Sequence, residues 1–183
     1  MVAYNIQKKG NNMYTWLNKI KELPKAIVEG TKLLGTLEVP GTGDNPVILG
    51  WAKELGLEKV YSDDSIPWCG LFAAIVMKRA GKTPVTDPLW ARNWAKFGTA
   101  AGTASLGDIL VFVRDGGGHV GIYVAEDATA YHVLGGNQKD SVSISRIAKS
   151  RCVAARRPIY NNQPSSVKPY IVQAAGALSH DEA

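Results

Sequence analysis

Apolar residues recur at helical spacing through the first half of the chain. Met13, Trp16, Leu17 and Ile20 occupy positions i, i+3, i+4 and i+7, which predicts an amphipathic helix that ends before Pro24. Such a stripe is typical of a helix that covers a hydrophobic core. Three further segments have the same period, with a cap or proline at one end and a glycine at the other. These predicted helices span 24–35, 45–56 and 87–98.

The boundaries and buried faces of two of these helices follow from single residues. Asp44 or Asn45 caps the helix 45–56, and Asp87 caps the helix 87–98, with Pro88 in its first turn. The inward stripe predicted for the helix 45–56 is Val47, Ile48, Trp51 and Leu55. The stretch between the second and third helices, "VPGTGDNP", is a loop.

A further helix is apolar on nearly every side. It begins within "SIPWCGLFAAIVMKRAG", residues 65–81, where Cys69 stands directly before the apolar run. A helix that is apolar all round is buried, and Lys78 and Arg79 near its end complement its dipole. We therefore expect this cysteine helix at the centre of the domain.

After Gly98 the hydrophobic period changes to two. Five segments alternate or run apolar between Gly, Asp and Asn turns, and each predicts a strand. They are 107–113, 119–127, 130–137, 141–147 and 152–158. Helices followed by strands are typical of an α+β domain, so we expect an antiparallel sheet of about five strands against the cysteine helix.

Length and composition indicate one globular domain with two extensions. The chain has 183 residues, of which 45% are hydrophobic. We assign 24–158 to the domain and 1–23 to an N-terminal amphipathic helix extension. The remainder, 159–183, is a polar linker and tail with a short weak helix, and we expect it to be mobile.

The net charge of +5 favours an anionic partner. No run of four Lys or Arg residues occurs, so we expect no nucleic-acid partner. No apolar run approaches the roughly 20 residues of a membrane-spanning helix, so we expect no stable membrane insertion. The N-terminal sequence lacks the apolar region of a secretory signal, which predicts a protein made in the cytoplasm without a signal peptide.

The two cysteines differ in their surroundings. Cys152 lies in a short alternating segment, where a half-buried thiol is ordinary. Cys69 stands at a helix start, where unpaired N–H groups and the helix dipole lower a thiol pKa and favour the nucleophilic thiolate. Gly70 keeps the neighbouring N–H groups approachable, as an oxyanion site requires. A buried, inert cysteine is the alternative interpretation.

Cysteine catalysis also needs a base and a group that orients it. Of three histidines, His119 begins a strand after a glycine-rich turn, and we take it as the base. His132 lies within a strand as a paired or exposed residue, and His180 lies in the tail. Asn137 after two glycines is the candidate that accepts the Nδ1–H of the base, although Asn in this position is also an ordinary turn residue.

Taken in order, several motifs resemble the papain-like peptidoglycan hydrolases of the CHAP and NlpC type, in particular a compact branch found in phages and prophages. The motifs are "TLEVPGTGDNP", "PWCGLFAAIVMKRAG", "GDILVFV", "GHVGIYV" and "LGGNQ". The resemblance covers about residues 25–158. The papain signature places Trp after the Cys, whereas here Trp68 precedes it, as is common in the wall enzymes.

The resemblance implies a papain-like fold and a lysin that hydrolyses an amide bond of bacterial peptidoglycan through an acyl-enzyme. Cys69 would be the nucleophile, His119 the general base and acid, and Asn137 the orienting residue. No metal and no cofactor are implied, and we expect a monomer. Without a signal peptide, the protein would reach the cell wall by release through a pore-forming protein or by delivery through a secretion system.

The sequence gives weaker evidence for substrate contacts than for the catalytic residues. Trp68 adjoins the nucleophile, Asp63 and Asp64 precede it on an acidic loop, and Trp90 and Trp94 share one face of a predicted helix. The Asp pair is also compatible with a solvated loop, and the Trp pair with core packing. Two alternative functions remain open: a secreted or injected antibacterial amidase effector toxin, and a non-catalytic wall-binding module of the same fold.

Overall fold

The computed structural model describes residues 12–173 and 176–180. Three α-helices precede the sheet: α1 (Lys25–Lys32), α2 (Pro46–Leu55) and α3 (Cys69–Arg79). Among the described residues, three 3₁₀ helices accompany them, at Asn12–Lys19, Ala91–Lys96 and Lys149–Arg151. No helix in the described part of the chain is long and apolar enough to cross a bilayer.

Six strands form one antiparallel sheet in the order β1-β6-β2-β3-β4-β5. They are β1 (Thr99–Ala100), β2 (Ile109–Arg114), β3 (Gly117–Glu126), β4 (Ala130–Gly135), β5 (Ser143–Ala148) and β6 (Cys152–Arg157). The predicted α+β class and antiparallel sheet are confirmed. The five predicted strands are present, and the additional two-residue strand β1 pairs with the end of β6.

Helix α3 lies at the centre of the molecule, as its composition predicts. Every residue from Cys69 to Met77 is buried, and the helix packs against α1, α2, β3 and β4. Full burial of one large apolar side chain contributes about 1.5–3 kcal/mol, so this helix is a major source of the stability of the domain.

Helix α2 begins and ends at the predicted residues. The side chain of Asn45 accepts a hydrogen bond from the Val47 N–H, and Gly56 ends the helix in the left-handed conformation at φ 74°. Ile48 and Trp51 are buried as expected. Val47 is wrongly predicted to point inward, because it lies in the first turn and is 49% exposed.

The predicted α-helix over 87–98 is wrong. Asp87 has φ 50°, which is not the backbone of a helix cap, and only a 3₁₀ helix forms at Ala91–Lys96. Side-chain hydrogen bonds hold this segment: within it, Trp94 Nε1 donates to the Pro88 carbonyl, and from β6 Arg156 donates to the carbonyls of Phe97 and Gly98.

The N-terminal segment packs on the domain through a buried polar network. The predicted helix is present as a 3₁₀ helix in which Tyr14 and Leu17 are buried. The Tyr14 hydroxyl lies 2.6 Å from Nδ1 of His132, and His132 Nε2 lies 2.9 Å from Asp127 Oδ2. Burial lowers the pKa of His132 and raises the pKa of Tyr14 to about 12. A protonated tyrosine therefore donates to a neutral imidazole, which donates to the carboxylate.

The C-terminal segment also packs on the sheet. Glu126 and Ile171 form a parallel bridge, and the N–H of Ser179 donates to the Arg146 carbonyl at 2.7 Å. The predicted short helix is absent from 159–173 and 176–180, the parts of this segment that the structure describes.

Replacing Tyr14 by Phe should lower the free energy of unfolding by about 1–3 kcal/mol, because it leaves Nδ1 of buried His132 without its donor. Tyr131→Phe is the control, since it removes a half-buried hydroxyl for which the described residues provide no hydrogen bond. Urea denaturation of the two variants measures the difference. Equal stability of the two variants would contradict a stabilising role of the network.

Candidate functional site

Cys69 is the first residue of α3 and lies at the bottom of a cleft. The residue is only 3% exposed, yet it lines a cleft of about 780 Å³ together with residues 116–118, which precede His119. The predicted position of the thiol at a helix start is confirmed. A small electrophile or an extended peptide can therefore approach the sulfur from one side.

Burial raises the pKa of the Cys69 thiol above its usual value. The backbone N–H of Val120, the charge of Arg114 and the N–H groups of Gly70 and Cys69 act in the opposite direction. The expectation that the helix start lowers the pKa is therefore wrong in its net sign, because the loss of hydration outweighs the donors. The thiol needs a base to accept its proton during attack.

His119 lies on β3 directly before the residue whose N–H faces the sulfur. It is fully buried, and its ring stands beside that of Phe112 with a centroid separation of 6.3 Å. The peptide joining His119 to Val120 therefore adjoins the Cys69 sulfur. The structure thus brings the strand that carries the predicted base to the predicted nucleophile.

The residue that contacts the imidazole is Gln138. Its Oε1 lies 3.2 Å from His119 Nε2, and its Nε2 donates to the carbonyls of Val133 at 3.2 Å and Ser143 at 2.8 Å. These donor bonds fix the amide so that its oxygen faces the ring, where it accepts a hydrogen bond from Nε2–H. The orienting contact is therefore at Nε2, whereas the sequence predicts it at Nδ1.

Asn137, the predicted orienting residue, has a different position. It is 3% exposed and has φ 54°, a left-handed conformation that Asn tolerates better than most residues. Its Oδ1 is buried and accepts no hydrogen bond from any residue that the structure describes. The structure places Gln138 against the imidazole instead.

Two glycines before Asn137 permit the close packing of this turn, as expected. A Cβ on Gly135 would lie 2.8 Å from Gln138 Oε1 and 3.1 Å from His119 Nε2. A Cβ on Gly136 would lie 2.5 Å from Cβ of Phe72 on α3. Any side chain at either position would displace the groups around the imidazole.

Gly70 is required for a reason that the sequence did not suggest. A Cβ there would lie 2.3 Å from the Pro88 carbonyl oxygen and 2.6 Å from that of Leu89. The absence of a side chain at Gly70 therefore leaves room for the loop that precedes the 3₁₀ helix Ala91–Lys96. This loop forms one wall of the cleft.

The three tryptophans predicted to contact substrate have different environments. Trp68 and Trp94 are fully buried, and their Nε1 atoms donate to Glu38 Oε2 and to the Pro88 carbonyl. Neither ring has a surface that a substrate can reach, so both predictions are wrong. Trp90 is 72% exposed and lines the cleft beside Cys69, which leaves it as a candidate contact.

Asp63 and Asp64 lie outside the residues that line the cleft. Buried Asp64 accepts hydrogen bonds at Oδ2 from the N–H groups of Val39 and Asn45, so it fixes the loop before α2. Exposed Asp63 accepts from the Ser65 N–H. One oxygen each of Asp44, Asp63 and Asp64 lies within 4.8 Å of the others, a spacing compatible with a cation. Asp44 and Asp63 also accept from backbone N–H groups, whereas buried Asp64 Oδ1 accepts no hydrogen bond from the described residues.

Three residues at the site were missed in the sequence. Gln138 directly follows the predicted Asn137 and carries the same amide group. Arg92 and Arg114 line the cleft beside Cys69. Arg114 stands five residues before His119, and this short spacing is visible in the sequence, whereas only the tertiary structure reveals Arg92.

The chain matches no protein-family model, no curated protein and no solved structure. Its function is therefore inferred from its own residues.

The raised pKa of Cys69 predicts how the thiol reacts with iodoacetamide. In a Cys152→Ser background, where Cys69 is the remaining thiol, the alkylation rate should rise about tenfold per pH unit from pH ~7 to beyond ~8.5, because little thiolate exists at neutral pH. Stopped aliquots analysed by mass spectrometry give the rate. A rate that is already constant from pH ~6 upward would contradict this and indicate a preformed thiolate.

Proposed function

We propose that this protein is a cysteine hydrolase that cleaves an amide bond of bacterial peptidoglycan. Cys69 is the nucleophile, His119 the general base and acid, and Gln138 the positioning residue of the imidazole. The observation that carries the proposal is the packing of α3, which Cys69 begins beside an open cleft, against β3, the strand that carries His119.

The surroundings of the imidazole support a catalytic role. A proton shuttle needs a constant ring orientation, which an acceptor fixed by its own hydrogen bonds provides. Gln138 provides that constraint at Nε2. The proposal therefore gives proton exchange with the sulfur to Nδ1, the ring nitrogen that Gln138 does not contact.

The first half of the reaction begins with a protonated thiol. His119 accepts the thiol proton as the sulfur attacks the amide carbonyl, and a carbon–sulfur bond forms. The carbonyl oxygen becomes an oxyanion, which backbone N–H groups at the start of α3 stabilise. The imidazolium then donates its proton to the leaving amine, and the carbon–nitrogen bond breaks.

The second half of the reaction restores the enzyme. A water molecule enters the cleft, His119 takes one of its protons, and the resulting hydroxide attacks the thioester. The acid product leaves as the carbon–sulfur bond breaks, and the imidazolium returns a proton to the sulfur. All proton transfers use the same histidine, so a misplaced ring affects both halves.

The choice of peptidoglycan as substrate is supported by the ordered motifs and by the charge of the chain. The motifs around Cys69, His119 and Gln138 resemble those of wall hydrolases, and the net charge of +5 suits an anionic envelope. Under this proposal a pore-forming protein or a secretion system brings the enzyme to the wall.

Three variants test the proposal by turbidity clearing of purified cell walls. Cys69→Ala should lower the rate about 1,000-fold or more, because it removes the nucleophile. Gln138→Met should lower kcat about 10- to 100-fold with little change in KM, because it removes a hydrogen bond that strengthens as the imidazole becomes charged. Asn137→Gly keeps the left-handed backbone and should retain a rate close to wild type.

The outcomes separate the candidate functions. A Cys69→Ala variant that clears walls as fast as wild type would support a non-catalytic wall-binding module and overturn the hydrolase. Loss of activity in Asn137→Gly but not in Gln138→Met would return the orienting role to Asn137. Circular dichroism of each variant controls for unfolding.

A further inference from the structure

The cleft beside Cys69 combines an apolar surface with two positive charges. The exposed side chains of Trp90 and Val60, 72% and 64% exposed, contribute the apolar part. Arg92 and Arg114 contribute the charges, and no Asp or Glu is among the described residues that line the cleft. A surface of this composition suits a ligand that is part apolar and part anionic.

The two arginines are held on either side of one turn. Arg92, on the 3₁₀ helix Ala91–Lys96, donates from Nη2 to the Gly117 carbonyl at 3.0 Å. Arg114, at the end of β2, donates from Nε to the Gly118 carbonyl at 3.4 Å. Each guanidinium carries five N–H donors, so these bonds fix both groups and leave donors for a ligand. Within residues 12–173 and 176–180, neither arginine forms an ion pair.

The positive charge acts close to the reacting atom. Arg114 is near enough to the sulfur that its charge lowers the pKa of Cys69, against the larger effect of burial. An anionic group held by the arginines therefore lies near the bond that the thiol attacks. Two guanidinium groups match the geometry of a carboxylate, which accepts paired hydrogen bonds.

We propose that the cleft selects an amide substrate with a free carboxylate near the scissile bond, and that Arg92 and Arg114 bind this carboxylate. The inference rests on the proposed function, because it names the substrate class of the same site. The stem peptides of a cell wall offer such carboxylates, and conversion of these groups to carboxamides would remove the charge while leaving the size almost unchanged.

The test measures binding in the Cys69→Ala chain, so that no turnover occurs. The probes are two synthetic stem peptides, identical except that one has all carboxyl groups free and the other has them all as carboxamides. Isothermal calorimetry should give a Kd about 10- to 100-fold lower for the free acid. Adding Arg92→Gln or Arg114→Gln should raise the Kd for the free acid by a similar factor and leave the Kd for the carboxamide unchanged.

A matched control accounts for general charge effects. Lys96→Gln removes one positive charge from the helix that carries Arg92, at an exposed residue that does not line the cleft. This variant should bind both peptides as the parent chain does. Equal loss in Lys96→Gln, or equal affinity of the parent for both peptides, would overturn the carboxylate site. An arginine variant that weakens binding of both peptides alike would also overturn it and assign the arginines to holding the turn.

Kinetics of the wild-type chain distinguish this failure from failure of the proposed function. If wild type cleaves both peptides at equal kcat/KM, the hydrolase stands and the carboxylate site is wrong. If wild type cleaves neither the peptides nor purified walls, the hydrolase is wrong, and the binding measurement still decides whether the cleft recognises carboxylates.

Discussion

The close packing of the start of α3 against β3 is the constraint on which the site depends. It puts the Cys69 sulfur near the N–H of Val120, the residue that follows His119 on β3. Gly70 and Gly136 let two other segments close on the same helix, because a Cβ on Gly70 would lie 2.3 Å from the Pro88 carbonyl oxygen and one on Gly136 would lie 2.5 Å from Cβ of Phe72. Most of this contact surface is apolar and buried, which makes the geometry rigid.

Burial of the site has two opposite effects on the chemistry. Removing water from Cys69 raises the pKa of its thiol, so the helix start alone does not provide a thiolate. The same dry surroundings strengthen hydrogen bonds and charge interactions, which favours proton transfer to a well-oriented imidazole. Gln138 is held by bonds to two backbone carbonyls and fixes that ring. The site thus combines a less acidic thiol with an imidazole whose orientation is fixed.

The sequence predicts most elements because their patterns are local. The apolar run of α3 and the alternation of five strands reflect burial directly, and both were confirmed. The prediction of an α-helix over 87–98 was wrong because hydrogen bonds from the side chains of Arg156 and Trp94 hold a different backbone there, despite the helical spacing of its apolar residues. The choice between Asn137 and Gln138 depends on the left-handed backbone at Asn137, which a single sequence does not reveal. The net effect on the pKa of the Cys69 thiol also depends on its burial in the tertiary structure, which the sequence does not reveal.

If Cys69 is the nucleophile, its sulfur becomes acylated during turnover. The most direct measurement is mass spectrometry of the intact chain after it is mixed with peptidoglycan fragments and quenched in acid within one turnover. We expect an added mass equal to the acyl half of the cleaved fragment, located on the peptide that contains Cys69. Release of new amines while Cys69 stays unmodified at every time point would contradict it.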